Sequence, residues 1–269
     1  MEIKKYVSAT FVLFSLVAAL LVSCQKESQS ATTDLPVVEA YLMAGHPLIV
    51  KLYYQKSLTD TARYGAPIIG QQLYISDGST KVKLTETTKG TYTYSDTTFL
   101  TVGKTYALSF SYLSKEVSAK TVMPAKTQNF ATQYVSVTYA GSATGNTTTD
   151  TLNKFTWNNP DSLNHVLAFY NINDTYFPIA NRRGGAGERV YEVDTKRKAV
   201  YYITTTDFAY YGDYQVTLLS VNQEYINLLN SNTSGSNSQN LLNIPTNVVN
   251  GLGIFTALQA DTLNFNLYQ

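Results

Sequence analysis

The chain has 269 residues and a net charge of +1, with 20 Lys and Arg set against 19 Asp and Glu, and charged residues make up only 14% of it. This balance argues against a basic nucleic-acid surface and against an acidic metal-binding block. With 22 tyrosines and abundant Thr, Ser and Asn, the composition favours pleated, half-buried strands and a low helix content. At the N-terminus, Lys4 and Lys5 precede an uncharged, mostly apolar run over residues 9–22. That run is shorter than the roughly twenty residues a membrane helix needs, so it is read as a targeting segment. It ends in Leu21-Val22-Ser23-Cys24, and Cys24 is the only cysteine. A chain maturing at Cys24 holds no disulfide, and its stability rests on packing.

The Leu21 to Cys24 stretch resembles the lipobox of bacterial lipoprotein signal peptides. The resemblance implies cleavage between Ser23 and Cys24 and acylation of the Cys24 thiol. Several buried acyl chains, at about 0.8 kcal/mol per methylene, would make such an anchor effectively permanent. Gln25-Lys26-Glu27-Ser28 resembles the short Gln-Lys-acidic signal of Bacteroidota lipoproteins displayed on the outer face of the outer membrane; the bland alternative is a solvated tether. The expected layout is a leader over 1–23, a lipidated tether over 24–34, and two β-rich domains over 35–125 and 126–269.

Residues 35–125 read as about seven short strands, the count of an immunoglobulin-like sandwich. Strands are expected at 37–42, 48–54, 72–76, 81–84, 91–94, 105–112 and 117–122. Asp77-Gly78 marks a hairpin, because Gly accepts the positive φ of such turns. In the sixth strand Tyr106, Leu108 and Phe110 share one face. Residues 66–92 resemble carboxypeptidase-regulatory or transthyretin-like sandwiches, which carry no catalytic residue.

In the second part, strands are expected at 132–139, 155–157, 166–170, 189–193, 199–204 and 214–219. Polar stretches at 141–151 and 231–240 read as loops. One helix is expected after Ser220, with Ser220 and Gln223 as a capping box and Val221, Tyr225, Leu228 and Leu229 on one face. Gly251 and Gly253 suggest a bend or a close backbone approach, with Leu252, Ile254 and Phe255 anchored in the core.

Candidate functional residues are few. There are only two histidines, His46 and His165. No ligand spacing for a metal and no nucleophile motif is visible, so no cofactor and no enzymatic activity is expected. An Asp207 and Asp213 carboxylate pair is the nearest approach to catalysis. Arg182, Arg183 and Arg189, around Gly184-Gly185-Ala186-Gly187, could clamp an anion. The alternative is a hairpin loop with solvated charges. Lys196, Arg197 and Lys198 would join them if 189–193 and 199–204 paired. Tyr201, Tyr202, Tyr210 and Tyr211, with Phe208 and Tyr214, form an aromatic-rich stretch, suited to sugar stacking or a partner face, or to ordinary packing. Thr61, Thr97, Thr151, Ser162 and Thr262 each follow an Asp, a pattern that resembles the O-glycosylation sequon of Bacteroidota.

Thr246-Asn247-Val248-Val249-Asn250-Gly251-Leu252-Gly253-Ile254-Phe255, with Trp157-Asn158-Asn159-Pro160, Asn164-His165 and Gly212-Asp213-Tyr214, resembles the Bacteroidota lipoproteins grouped under domain of unknown function 4249. The resemblance spans nearly the whole mature chain. It implies a lipobox and an N-terminal sandwich; the residues themselves read as an all-β chain, an immunoglobulin-like or transthyretin-like sandwich followed by a second β-rich domain with one short helix. The resemblance also implies a lipid-anchored accessory of a TonB-dependent outer-membrane receptor. The alternative is a stand-alone surface module binding glycan or protein.

Overall fold

A computed structural model describes residues 35–56, 61–62, 64–140, 151–175, 177–179, 190–204, 206–233 and 245–269. Ser23, Cys24, the tether, Arg182, Arg183 and Arg189 lie outside the described residues, as do 141–150 and 234–244. In chain order the first half holds β1 (Pro36–Met43), β2 (Leu48–Tyr54), β3 (Tyr74–Ser76), β4 (Lys81–Lys83), β5 (Thr85–Thr88), β6 (Thr91–Tyr94), β7 (Thr105–Tyr112) and β8 (Lys115–Val122). The second half holds β9 (Ala131–Thr132), β10 (Ser136–Thr138), β11 (Thr151–Thr156), β12 (His165–Asn171), β13 (Phe177–Pro178), β14 (Val190–Asp194), β15 (Val200–Thr204) and β16 (Tyr210–Val221). Helix α1 (Gln223–Thr233), β17 (Val248–Val249) and β18 (Leu252–Tyr268) complete it.

Alternation explains the first half. Leu48, Val50 and Leu52 are fully buried while Ile49 points out, and Tyr106, Leu108 and Phe110 line the inner face of β7. The β3–β4 hairpin is closed by Asp77, whose Oδ1 accepts from the Ser79 and Thr80 N–H groups at 3.0 and 2.7 Å. Gly78 supplies the positive φ of 91°. β5, paired with β6, is an element the sequence reading passed over, because Thr85–Thr88 has no apolar residue to betray it.

The largest sheet runs β14-β12-β16-β18-β1-β2-β6-β5. Its join is β1 against β18, a parallel pair running from Val37↔Leu252 to Met43↔Leu258. One face of this sheet is covered twice. The sheet β17-β8-β7-β3-β4 packs with β1, β2 and β6 around Leu42, Tyr92, Tyr106 and Leu108. The sheet β15-β11-β9 packs with β12, β16 and β18 around Phe155, Phe169, Leu218 and Phe265. Burying each such side chain contributes about 1.5–3 kcal/mol. β18 threads both cores on one face, Phe255 and Ala257 in the first and Phe265 and Leu267 in the second. The two halves expected on either side of residue 125 thus have separate cores but share a sheet, and Val248, Phe255 and Ala257 pack with the first half.

The opposite face carries α1, with Ile226 packed on Val166, Val221 and Leu258. Glu224 in its first turn accepts from Thr121 Oγ1 at 2.7 Å and Thr256 Oγ1 at 3.1 Å, pinning the helix to β8 and β18. The expected capping box does not form. Ser220 is buried inside β16 and bonds to Thr127, and Asn222 stands at the cap position. Its carbonyl accepts from the Tyr225 N–H, and its side chain reaches Thr121, Val122 and Ala257.

Three further expectations change. Residues 132–139 divide into β9 and β10, which join different sheets. Thr151 opens a strand instead of closing a loop. Strands β14 and β15 do not pair: β14 lies on β12 and β15 on β11, in different sheets. The bend at the Gly251-Leu252-Gly253 stretch is present, with φ of 55° at Asn250 and 93° at Gly253. A Cβ at Gly253 would collide with the Val38 carbonyl, so the close approach is to the parallel partner β1. Ile254 and Phe255 are buried, while Leu252 is only half-buried.

Candidate functional site

The aromatic stretch 201–214 is mostly interior. Phe208, Tyr211 and Tyr214 are buried, with Phe208 at 4.8 Å from the Tyr214 ring and 5.5 Å from Phe169. Tyr211, expected as a surface candidate, therefore belongs to the core, in the cluster of Phe155, Phe169 and Leu218, because the strand's alternation breaks at Gly212, with its φ of 140°. Tyr201 is half-buried, its hydroxyl 3.4 Å from that of Tyr191, and burial pushes its pKa up. Tyr202, on the alternate face of β15, is exposed, and Tyr210 is half-buried. No continuous platform results.

The carboxylates of this stretch have local duties. Asp207 Oδ2 accepts from the Thr204 N–H at 2.5 Å and from its hydroxyl at 3.0 Å. Asp213 Oδ2 accepts from Asn173 Nδ2 at 3.5 Å, and the Asp213 N–H donates to Asn173 Oδ1 at 2.6 Å. Lys196 and Arg197 sit in the turn after β14; Lys196 pairs with Asp194 at 2.7 Å, and Arg197 Nε donates to Asn164 Oδ1 at 2.9 Å. Among the potential modification sites, Thr61, Thr97, Ser162 and Thr262 are exposed, as is Thr151 at the start of β11. Thr97 and Ser162 lie outside strands, whereas Thr262 pairs across to Thr217 on β16.

His165 is buried between β16 and the 125–128 segment. Its Nδ1 faces the Leu163 carbonyl at 3.1 Å, which can only accept, so Nδ1 carries the proton. Nε2 then accepts from Thr127 Oγ1 at 2.9 Å, and the Ser220 hydroxyl donates to Thr127 at 2.6 Å. Burial lowers the His165 pKa. A cavity of about 270 Å³, lined by Lys126, Thr127, Asp161, His165 and Ser220 among others, adjoins this chain of bonds. The neighbouring Trp157-Asn158-Asn159-Pro160 turn is clasped by Asn159, whose amide bonds to Leu163 N, Leu163 O and Arg197 O. These polar groups are used up in holding the turn. Among the described residues no group of three or more His, Cys, Asp or Glu is placed to hold a metal ion.

The strongest surface constellation lies elsewhere, on the sheet face that carries α1. The Tyr53 hydroxyl donates to Glu39 at 2.6 Å, and Lys51 lies 3.6 Å from the same carboxylate. Tyr64 lies with its ring 5.0 Å from Tyr53 and 5.3 Å from Lys51 Nζ. Further along, Tyr41 meets Tyr225 of α1 edge-on at 6.3 Å, and the Tyr225 hydroxyl is 3.4 Å from both Glu192 oxygens. Burial, then the charge of Glu39, pushes Tyr41 up to about 12, and burial raises Glu192. Tyr41 is still 41% exposed and Tyr64 38% exposed. The result is a tyrosine strip with acidic residues beneath it, crossing β2, β1, α1 and β14. Lys51 and Tyr53 fall in the strand expected at 48–54. That Tyr41, Tyr64 and Tyr225 join them depends on which strands pair.

Comparisons with known proteins bear on the family. The family model described as "Domain of unknown function (DUF4249)" matches residues 25–264. No curated protein matches the chain. The crystal structure of chicken CNTN1 FN1-FN3 domains is similar at 10% identity, covering 87% of this chain and 67% of that chain, with a TM-score of 0.29.

Proposed function

The chain belongs to the DUF4249 family, and from that premise we propose that it is an exported lipoprotein held to the outer membrane through Cys24. There it acts, without chemistry of its own, as an accessory of a TonB-dependent β-barrel receptor. The observation that carries this reading is the sequence Lys4-Lys5, the apolar run and Leu21-Val22-Ser23-Cys24, with Cys24 the only cysteine. A short polar segment separates that cysteine from the first strand at Pro36, which suits a folded body tethered close to a bilayer. The exposed Tyr41 and Tyr64, backed by the buried Tyr53 and the half-buried Tyr225, support a partner role, since tyrosine gives large, rigid contact area with a polar tip and is enriched at interfaces.

Affinity purification of the native lipoprotein in mild detergent, followed by mass spectrometry, tests the reading. A large outer-membrane barrel is expected to come with it, and replacing Tyr41 and Tyr225 by Ala is expected to weaken that association. A Cys24→Ser chain is expected to lose its membrane attachment. If no barrel co-purifies under any growth condition, the accessory role fails; the chain would then be a stand-alone surface binding module. If Cys24→Ser still fractionates with membranes, the anchor assignment fails.

A further inference from the structure

We propose that the groove on the outer face of the β17-β8-β7-β3-β4 sheet binds a neutral oligosaccharide, with the Tyr74 ring as its stacking platform. This names a class of ligand for the accessory role proposed above and rests on that reading only for its setting. The groove has a volume of about 490 Å³, within the span of small-ligand sites. Its walls come from four neighbouring strands, β4, β3, β7 and β8, and the turn before β3. Tyr74 stands opposite Ser109, Ser111 opposite Glu116, and Ser76 opposite Lys81.

The lining has the chemistry a sugar needs. Gln71, Gln72, Ser109 and Ser111 offer neutral donors and acceptors, which match hydroxyls that themselves both donate and accept. Tyr74 is half-buried and offers an aromatic face to the C–H side of a pyranose ring. Two charged residues line the groove, Lys81 and Glu116, and they cancel. They stand four residues apart along the strand direction, about 14 Å at roughly 3.4 Å per residue. An ion of either sign would be drawn to one end and repelled at the other, so an uncharged, elongated ligand fits best. Lys81 Nζ lies 4.6 Å over the Tyr74 ring. Such a contact is weak at an exposed site and yields readily to a ligand.

The rim is held in place before any ligand arrives. Gly70 takes a φ of 71°, and its N–H donates to Glu86 Oε2 at 2.8 Å, while the same carboxylate accepts from the Gly90 N–H at 2.9 Å. The buried Tyr92 hydroxyl accepts from the Gln71 N–H at 3.1 Å and donates to the Ile68 carbonyl at 2.9 Å. Two residues from β5 and β6 of the large sheet therefore fix the 68–71 turn that walls the groove. Preorganisation of this kind cuts the ordering cost of binding.

The test uses the full chain in detergent with neutral hexasaccharides of glucose, mannose, xylose and galactose, and with hexagalacturonate and triglycine as charged probes, all by titration calorimetry. At least one neutral hexasaccharide is expected to bind. Tyr74→Ala is expected to weaken it tenfold or more, and Ser109→Trp, which fills the groove, to abolish it. Both variants are half-exposed positions checked by an unchanged thermal transition, and Tyr134→Ala, at an exposed tyrosine outside the groove, serves as a control that leaves binding intact. The proposal is overturned if no neutral hexasaccharide binds, if only hexagalacturonate or triglycine binds, or if binding survives both groove variants. Barrel co-purification is a separate readout, so failure here does not carry over to the accessory role.

Discussion

The side-chain amide of Asn247 holds both backbone polar groups of Phe255: Oδ1 accepts from the Phe255 N–H at 3.0 Å, and Nδ2 donates to its carbonyl at 2.7 Å. The same Nδ2 reaches the Lys120 carbonyl at 3.2 Å, and Asn250 Nδ2 donates to the Glu116 carbonyl at 2.8 Å. The two asparagines thus tie the entry of β18 to β8 at the point where β18 turns to run beside β1.

Asn247→Ala leaves a buried N–H and a carbonyl without partners and is expected to destabilise the fold by about 2–3 kcal/mol. Asn247→Asp keeps the acceptor and loses the donor, and is expected to cost at least as much at neutral pH. Urea unfolding measures both. A loss below half a kcal/mol for Asn247→Ala would show that the clasp is dispensable.

Gly253→Ala combines a φ of 93° with a collision against the Val38 backbone. Strand β1 must then move away from β18, opening the parallel joint between the two halves of the largest sheet. The expected loss is about 3 kcal/mol or more, seen as a large fall in thermal midpoint. A Gly78→Ala change meets nothing within 4 Å, and its cost is confined to the strain of its positive φ.

His165 has a folded pKa below its ordinary value because burial disfavours the charged ring. Between the two values the unfolded chain binds more protons than the folded one, so stability rises with pH there. The contribution is full above about 6.5 and is lost as pH falls below it. His165→Gln is expected to flatten the stability profile between about pH 6.5 and 5, before the carboxylates titrate. An unchanged slope in that window would remove His165 as its source.

Tyr41 is pushed up to about 12, and Tyr53, Tyr201 and Tyr225 are also raised, each chiefly by burial. The unfolded chain releases these phenolic protons near pH 10, and the folded chain does so later, so stability falls as pH rises through that range. Absorbance titration is expected to show a class of tyrosines ionising above the ordinary range, with Tyr41→Phe removing one member. Should all tyrosines titrate together near 10 in the folded protein, the tyrosine strip is not packed as described.

Much of the first half was legible because inner and outer positions alternate strictly. Leu48, Val50 and Leu52 announce β2, and Tyr106, Leu108 and Phe110 announce β7. β18 past Phe255 was not legible, although it is the longest strand, running from Leu252 to Tyr268. Its Gln259, Asp261, Asn264 and Asn266 interrupt the apolar pattern where it passes from one core to the next. The candidate site fared worse. Tyr210 and Tyr211 drew notice by their density, yet Tyr211 is interior, while Tyr41, Tyr64 and Tyr225 come together from distant parts of the chain. The groove at Tyr74 gave no local signal either, since its serines are ordinary outward residues of a strand.

By itself the sequence determined the all-β class, most strand positions, the family and the lone cysteine at position 24, because these depend on composition, alternation and short motifs. Only the tertiary structure decided that β1 lies parallel to β18, that β14 and β15 go to different sheets, and which tyrosines face water. Pairing between strands some two hundred residues apart in the chain is set by which apolar faces bury best together, and no local pattern records that choice.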